Sequence, residues 1–345
     1  MLQSNGKCAK MFALIQKYDM GLIILAKQVT KRRHHLWRWL IGIVVVIALA
    51  LFAAGSYFFS VAMVPSHKSF INNSNRISKH DPLYAQKIWF KQAPKHRWTI
   101  TAAQGHYRLV ADYLPASKPT TKNVIILHGF MGRKEKMGEY AAMFHRLGYN
   151  VLMPDARAHG QSQGKYIGYG WPERYDVRKW SEQLIAKNGQ QSQIVIFGVS
   201  MGGATTMMTS GIQLPHQVKA LVEDCGYDSL AGELNYEAGN LYNIPQVIRA
   251  PLIGSLSLIN RVKNGFYVHQ ASSTAMLARN HRPIMFIHGS KDTFVPTRMV
   301  YQNYAATKGP KQLWVVKGAK HAASYAKEPH EYPRRIARFL NQYVK

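Results

Sequence analysis

Residues 40–64, LIGIVVVIALALFAAGSYFFSVAMV, form a run of 25 positions without one charged side chain. In hydrocarbon every backbone N–H and C=O must find its partner within the protein, and a helix supplies those partners by itself. Roughly 20 predominantly apolar residues are enough to cross a bilayer. Only Ser56 and Ser60 carry strongly polar groups here, which is unusual for a core helix of this length. Trp37 and Trp39 flank one end and Tyr57 lies near the other, positions that suit headgroup depth. A transmembrane helix over 40–64 is therefore expected. The competing reading is a cleaved signal peptide, with Ser60-Val61-Ala62 as a small-residue cleavage site. The run is well beyond the roughly 7–15 residues of a signal core, so an uncleaved signal-anchor is preferred.

The flanks give an orientation. Residues 20–39 hold five Lys/Arg (Lys27, Lys31, Arg32, Arg33, Arg38), against three in residues 65–84 (Lys68, Arg76, Lys79). The excess places the N-terminal side in the cytoplasm and the rest of the chain outside. A shorter apolar segment at 20–26 cannot span. The two cysteines, Cys8 and Cys225, then fall on opposite sides of the membrane and cannot pair within one chain. Neither stands in a metal-ligand spacing, and the 15 histidines include no H-E-x-x-H pair, so no metal and no organic cofactor are expected.

The whole chain carries 45 Lys+Arg against 17 Asp+Glu, a net charge of +28. The excess is spread along the sequence and no helix-turn-helix, zinc-finger or RNA-binding signature accompanies it, so nucleic acid is not expected as a partner. A basic surface of this kind is compatible with anionic lipid or anionic cell-envelope polymers. With 47% hydrophobic residues the chain has ample material for a packed core and is not a disordered polar chain.

Beyond residue 65 the pattern changes. A polar Ser/Asn/Lys-rich stalk and a short packing helix around 84–90 occupy residues 65–97. Strand signals at 98–103 and 107–114 form a hairpin around Gly105. Short continuous apolar runs at 124–127, 150–153, 193–197, 218–223, 284–287 and 313–316 then alternate with helical stretches at 134–147, 172–187, 202–212, 298–306 and 333–343. This is the pattern of a mostly parallel sheet covered by helices on both faces. Residues 227–282 break the alternation and are read as a helical cap.

Within this frame, Gly198-Val199-Ser200-Met201-Gly202 matches G-x-S-x-G between a strand and a helix, the context in which a serine is held up as a nucleophile. Its hydroxyl needs a base. His321 is the candidate, because it follows a late strand and Gly318, where a side chain can reach the top of the sheet. The imidazole needs an acid behind it. Asp292, in Gly289-Ser290-Lys291-Asp292 after the penultimate strand, is preferred, and Asp224 is the runner-up. Backbone N–H donors for an oxyanion are expected from Met201 and from Phe130, in the loop after His128-Gly129. His128 is read as a structural residue of that loop.

These residues, together with 155–162, 288–296 and 318–321, resemble the α/β-hydrolase superfamily, in particular bacterial membrane-anchored or secreted serine hydrolases of the esterase, lipase or peptidase type. The resemblance covers roughly 98–345. It implies an eight-stranded, mostly parallel sheet whose second strand runs antiparallel, and a structural role for Arg157 and His159 beside the site. Ala158 stands where the family often has glycine. The resemblance further implies hydrolysis of an ester, amide or thioester through an acyl-enzyme. The expected organisation is a basic cytoplasmic segment at 1–39, the membrane helix at 40–64, the stalk and packing helix at 65–97, and an α/β-hydrolase domain at 98–345 with its cap at about 227–282. The expected function is a carboxylesterase-like serine hydrolase acting on a small-molecule acyl substrate at the cell exterior. A peptidase, amidase or acyltransferase on the same fold is one alternative, and a non-catalytic surface binding module is another. The apolar and aromatic side chains of the cap suggest a medium-length acyl or aromatic acid.

Overall fold

The apolar run is helical, as hydrophobicity and the need to pair its backbone require. A computed structural model of the chain describes residues 5–66 and 77–345. Its first helix, α1 (Asn5–Met63), contains the whole run and continues through the basic flank before it. The weaker apolar segment at 20–26 is part of the same helix. The chain divides into two units, Met1–Ala54 and Gly55–Lys345. In the first, most of the large side chains from Trp37 to Phe52 are exposed along the helix, and the stretch Trp37–Met63, of mean hydropathy 2.5, is long and apolar enough to cross a membrane.

The second unit begins inside the apolar run. Gly55, Phe59 and Met63, four residues apart, lie on one helix face and are buried. A Cβ on Gly55 would collide with Ser255. The Phe59 ring meets Tyr166 edge-on at 5.2 Å, and the Ala62 and Met63 carbonyls accept hydrogen bonds from the Tyr169 hydroxyl and the Ile167 N–H, both at 2.8 Å. The last turns of the expected membrane span are therefore protein core, because apolar side chains answer equally to lipid and to a protein interior. Trp37 to Ala54, the part of the run outside this core, is roughly 27 Å of helix at about 1.5 Å per residue. The expected stalk lies, for residues 67–76 with Lys68 and Arg76, outside the described residues.

Helix α2 (Tyr84–Gln92) packs through Phe90 on α3 (Gly138–Arg146). The strands are β1 (His96–Thr101), β2 (Arg108–Leu114), β3 (Lys122–Leu127), β4 (Asn150–Pro154), β5 (Gln193–Val199), β6 (Val218–Asp224), β7 (Ile284–Gly289) and β8 (Lys311–Val316). They form one sheet in the order β1-β2-β4-β3-β5-β6-β7-β8, with β2 antiparallel to both neighbours and the other pairs parallel. The central strands are buried along nearly their whole length, and their alternate side chains feed two cores. Ile125, Leu152 and Ile196 face α4 (Glu173–Asn188) and α5 (Met201–Ser210), whereas Val124, Val151 and Val195 face α3 and the C-terminal helix.

The stretch expected as a cap holds α6 (Leu230–Asn240), α7 (Gln246–Asn264) and the short α8 (Ser273–Leu277). Helices α9 (Arg298–Ala306), α10 (Ser324–Lys327) and α11 (Glu331–Leu340) close the chain. The helix expected over 134–147 begins instead as a 3-10 turn, Lys134–Met137. There the Lys134 N–H and ammonium both bond the buried Asp155 carboxylate, at 2.8 and 2.9 Å, which draws the chain out of α-helical register.

Candidate active site

The turn from β5 into α5 carries Ser200 at φ +58° and ψ −119°, a conformation that costs a non-glycine residue about 1–3 kcal/mol. Close packing holds the turn: a Cβ on Gly198 would strike the Gly202 carbonyl, and one on Gly202 would strike the Leu127 carbonyl at the end of β3. At both positions the nearest atoms are backbone, which cannot yield as a side chain can. Gly202→Ala is expected to cost about 3 kcal/mol or more, seen as a lower Tm or loss of soluble protein.

The three side chains singled out from the sequence come together. His321 Nε2 lies 2.9 Å from Ser200 Oγ, and His321 Nδ1 lies 2.8 Å from Asp292 Oδ2. The other carboxylate oxygen of Asp292 accepts the N–H groups of Phe294 and Val295, both at 2.9 Å. Burial alone would raise the Asp292 pKa, but hydrogen bonds with His288 and His321 outweigh it and hold the carboxyl well below the usual range. The loops bearing the acid and the base are laced together: Ser290 N–H donates to the Val316 carbonyl at 3.0 Å, Lys291 N–H to Ala319 at 2.9 Å, and Gly318 N–H to Ser290 Oγ at 2.8 Å. The runner-up acid, Asp224, is elsewhere engaged, accepting from Tyr332 at 2.8 Å and Ser324 at 3.1 Å.

Met201 is the first residue of α5, so its N–H has no acceptor within the helix. Phe130 lies in the loop after β3, and it lines the same two clefts as Ser200. His128 fastens this loop: its Nδ1 donates to the Gly129 carbonyl at 2.8 Å and its Nε2 accepts from Ala156 N–H at 3.0 Å. His159 accepts the Met131 N–H at 3.2 Å, and burial pushes its pKa down to about 3, which keeps the ring neutral and able to accept. Arg157 pairs with Asp176 through contacts of 2.7–2.9 Å, and Asp176 also accepts the Ala103 N–H at 2.8 Å.

Several neighbours of the site escaped the sequence reading. His288 lies 3.4 Å from Asp292 Oδ2 and donates to the Val295 carbonyl at 2.9 Å. The four-residue spacing in His288-Gly289-Ser290-Lys291-Asp292 was the available signal. Cys225 is buried beside the pair, with its sulfur and the Asp292 and His321 ligand atoms within 4.8 Å of one another. Burial keeps this thiol well above its usual pKa, and Asp292 and His321 are already bonded to each other, so the trio is poorly set to take a metal.

Buried carboxyls around the site make stability pH-dependent. Burial pushes Glu223 up to about 8 from an ordinary 4.5. Between those values the native state holds a proton that the unfolded chain releases, so stability falls as pH rises through the window. Asp224, raised by burial to about 6, acts in the same sense over a lower range, whereas the depressed Asp292 contributes stability above its unfolded pKa that is lost in acid. Buried His159 and His128, held neutral below their unfolded pKa, oppose this trend up to about pH 6.5, so the expected result is a Tm that declines from pH 6.5 to pH 8, and Glu223→Gln should flatten that decline by on the order of 2 kcal/mol.

The fold has known counterparts. The solved structure of the Pyrococcus furiosus esterase Pf2001 superposes with a TM-score of 0.60 at 21% identity, covering 81% of this chain and 100% of that one. Residues 118–225 match the family model described as serine aminopeptidase, S33. The chain has the α/β-hydrolase fold. A further similar structure, the acylaminoacyl peptidase of Pyrococcus horikoshii, gives a TM-score of 0.56 at 15% identity over 75% of this chain and 43% of that one. By sequence, this chain is 29% identical to the uncharacterised YqkD of Bacillus subtilis (strain 168) over 252 residues, 73% of this chain and 81% of that protein. It is 24% identical to the uncharacterised YfhR of Escherichia coli (strain K12) over 252 residues, 71% of this chain and 78% of that protein.

Proposed function

We propose that the chain is a serine hydrolase of carboxylic esters, with Ser200 as nucleophile, His321 as general base and acid, and Asp292 as the carboxylate behind the imidazole. The observation that carries this reading is the unbroken hydrogen-bonded line from Ser200 to His321 to Asp292, at 2.9 and 2.8 Å, on a strained elbow where two clefts meet. His321 Nε2 takes the Ser200 proton as Oγ attacks the carbonyl carbon. The N–H groups of Met201 and Phe130 stabilise the oxyanion. His321 then gives the proton to the leaving alkoxide, and water repeats the sequence on the acyl-enzyme.

One cleft is almost wholly apolar and runs from Ser200 under the cap; the other is more polar, includes Lys136 and Glu139, and suits the leaving alcohol. A fluorophosphonate probe should label the protein, with peptide mapping placing the adduct on Ser200. A well-folded protein that resists labelling would favour the binding module.

A second reading, an aminoacyl amidase, has one specific support: Glu233 and Glu237 line the apolar cleft. An ammonium group would need one of them ionised. Burial holds Glu233 well above its usual pKa and raises Glu237 to about 7. Amide hydrolysis would then climb as pH rises through about 7, while a neutral ester has no such requirement. Esters graded by chain length, assayed beside aminoacyl amides, separate the two readings.

The proposed location is the outer face of a cell membrane, with the segment before Trp37 in the cytoplasm. Protease added to intact cells should reach the chain beyond Ser66, and protection there would reverse the orientation.

A further inference from the structure

We propose that the last turns of α1 form one wall of the acyl-binding pocket, so that the membrane-anchor helix itself helps select long hydrocarbon acyl chains. The proposal rests on the serine-esterase reading and names the substrate class of that same site. The pocket that includes Ser200 and Met201 is lined also by Phe58, Val61 and Ala62 of α1 and by Leu252 and Leu256 of α7. Its cavity volume is about 100 Å³, continued by space open to solvent.

The wall is held in place. Gly55 lies against Ser255 and Leu256, the Phe58 ring meets the Tyr242 ring edge-on at 5.1 Å, and the Ala62 carbonyl accepts from the Tyr169 hydroxyl at 2.8 Å. Tyr169 in turn stacks on Phe130 at 5.4 Å between centroids, which ties the wall to the loop beside Ser200. These are packed contacts, so side chains at 58, 61 and 62 set the shape of the pocket.

The chemistry of the occupant follows from the lining. Apart from Ser200, the Met201 thioether, three tyrosine hydroxyls and two carboxyls raised towards neutrality, the walls are hydrocarbon or aromatic ring. Such a pocket recognises a chain by removing methylenes from water, roughly fourfold in affinity for each. Leu241 and Tyr242, part of the same lining, are 37% and 38% exposed, so part of this apolar wall reaches the surface. A long acyl chain therefore has a place here that an acetyl group does not fill, and the polar cleft on the other side of Ser200 receives the alcohol.

The experiment uses the full chain in detergent and p-nitrophenyl esters from acetate to dodecanoate. The parent protein should show kcat/KM rising with chain length to at least octanoate. Val61→Trp and Ala62→Trp fill the pocket from α1, and each should lower the dodecanoate-to-acetate ratio of kcat/KM at least tenfold, whatever happens to the absolute rates. Phe58→Ala should move the optimum towards longer chains. Fluorophosphonate labelling of each variant checks that the elbow is intact. A parent that prefers acetate, or labelled variants whose ratio does not move, overturns the role of α1 while leaving the esterase reading standing. A labelled parent that cleaves none of the esters overturns both.

Discussion

Ser200→Ala should lower kcat toward an activated ester by about 10⁶-fold, leaving only what binding and oxyanion donors supply. The loss follows from removing the one oxygen that His321 Nε2 contacts at 2.9 Å. The fold should survive, because Ser200 stands at the head of α5 and its hydroxyl makes no capping bond to the helix. Fluorophosphonate labelling should disappear with the activity. A glycine at the same position adds a control. It adopts φ near +58° without strain, so Ser200→Gly should be equally inactive yet melt higher than the parent. Retained hydrolysis in both variants would remove Ser200 from the chemistry.

Asp292→Asn is expected to cost about 10⁴-fold in kcat. The two backbone donors, Phe294 and Val295 N–H, both point at Oδ1, so the amide of the variant keeps its oxygen there. Its NH₂ then occupies the place of Oδ2 and faces His321 Nδ1. That nitrogen must become an acceptor, which moves the ring proton to Nε2 and aims it at Ser200 Oγ. The imidazole is then the wrong tautomer to take a proton. KM should change little, since Asp292 does not line the apolar pocket. The matching substitution at the runner-up, Asp224→Asn, should disturb stability through Tyr332 and Ser324 and leave kcat within about tenfold. If the two variants exchange these behaviours, the acid has been misassigned.

Much of the sheet was legible because central strands are buried on both faces and read as short unbroken apolar runs. The boundaries of β5, β6 and β7 were underestimated by one or two residues, since Gly198, Asp224 and His288-Gly289 interrupt hydrophobicity while the backbone remains extended. Ser200, Asp292 and His321 could be singled out because each follows a strand at a turn. The packing of α1 could not be read in the same way. Gly55, Phe59 and Met63 look like any other part of a lipid-facing helix, and only the three-dimensional partner, α7, tells the two environments apart. Likewise His288 and Cys225 acquire meaning only from loops that meet across the sheet end.

The lacing of Ser290, Lys291 and Gly318 has a further consequence. Because the acid-bearing and base-bearing loops share three hydrogen bonds, a displacement of one carries the other with it, and the carboxylate–imidazole spacing is conserved as the pair drifts. Ser200 rides on a separate, stiff corner. The slack in the machinery is thereby concentrated in a single joint, between imidazole and hydroxyl, and an arriving substrate needs to take up play at that one place.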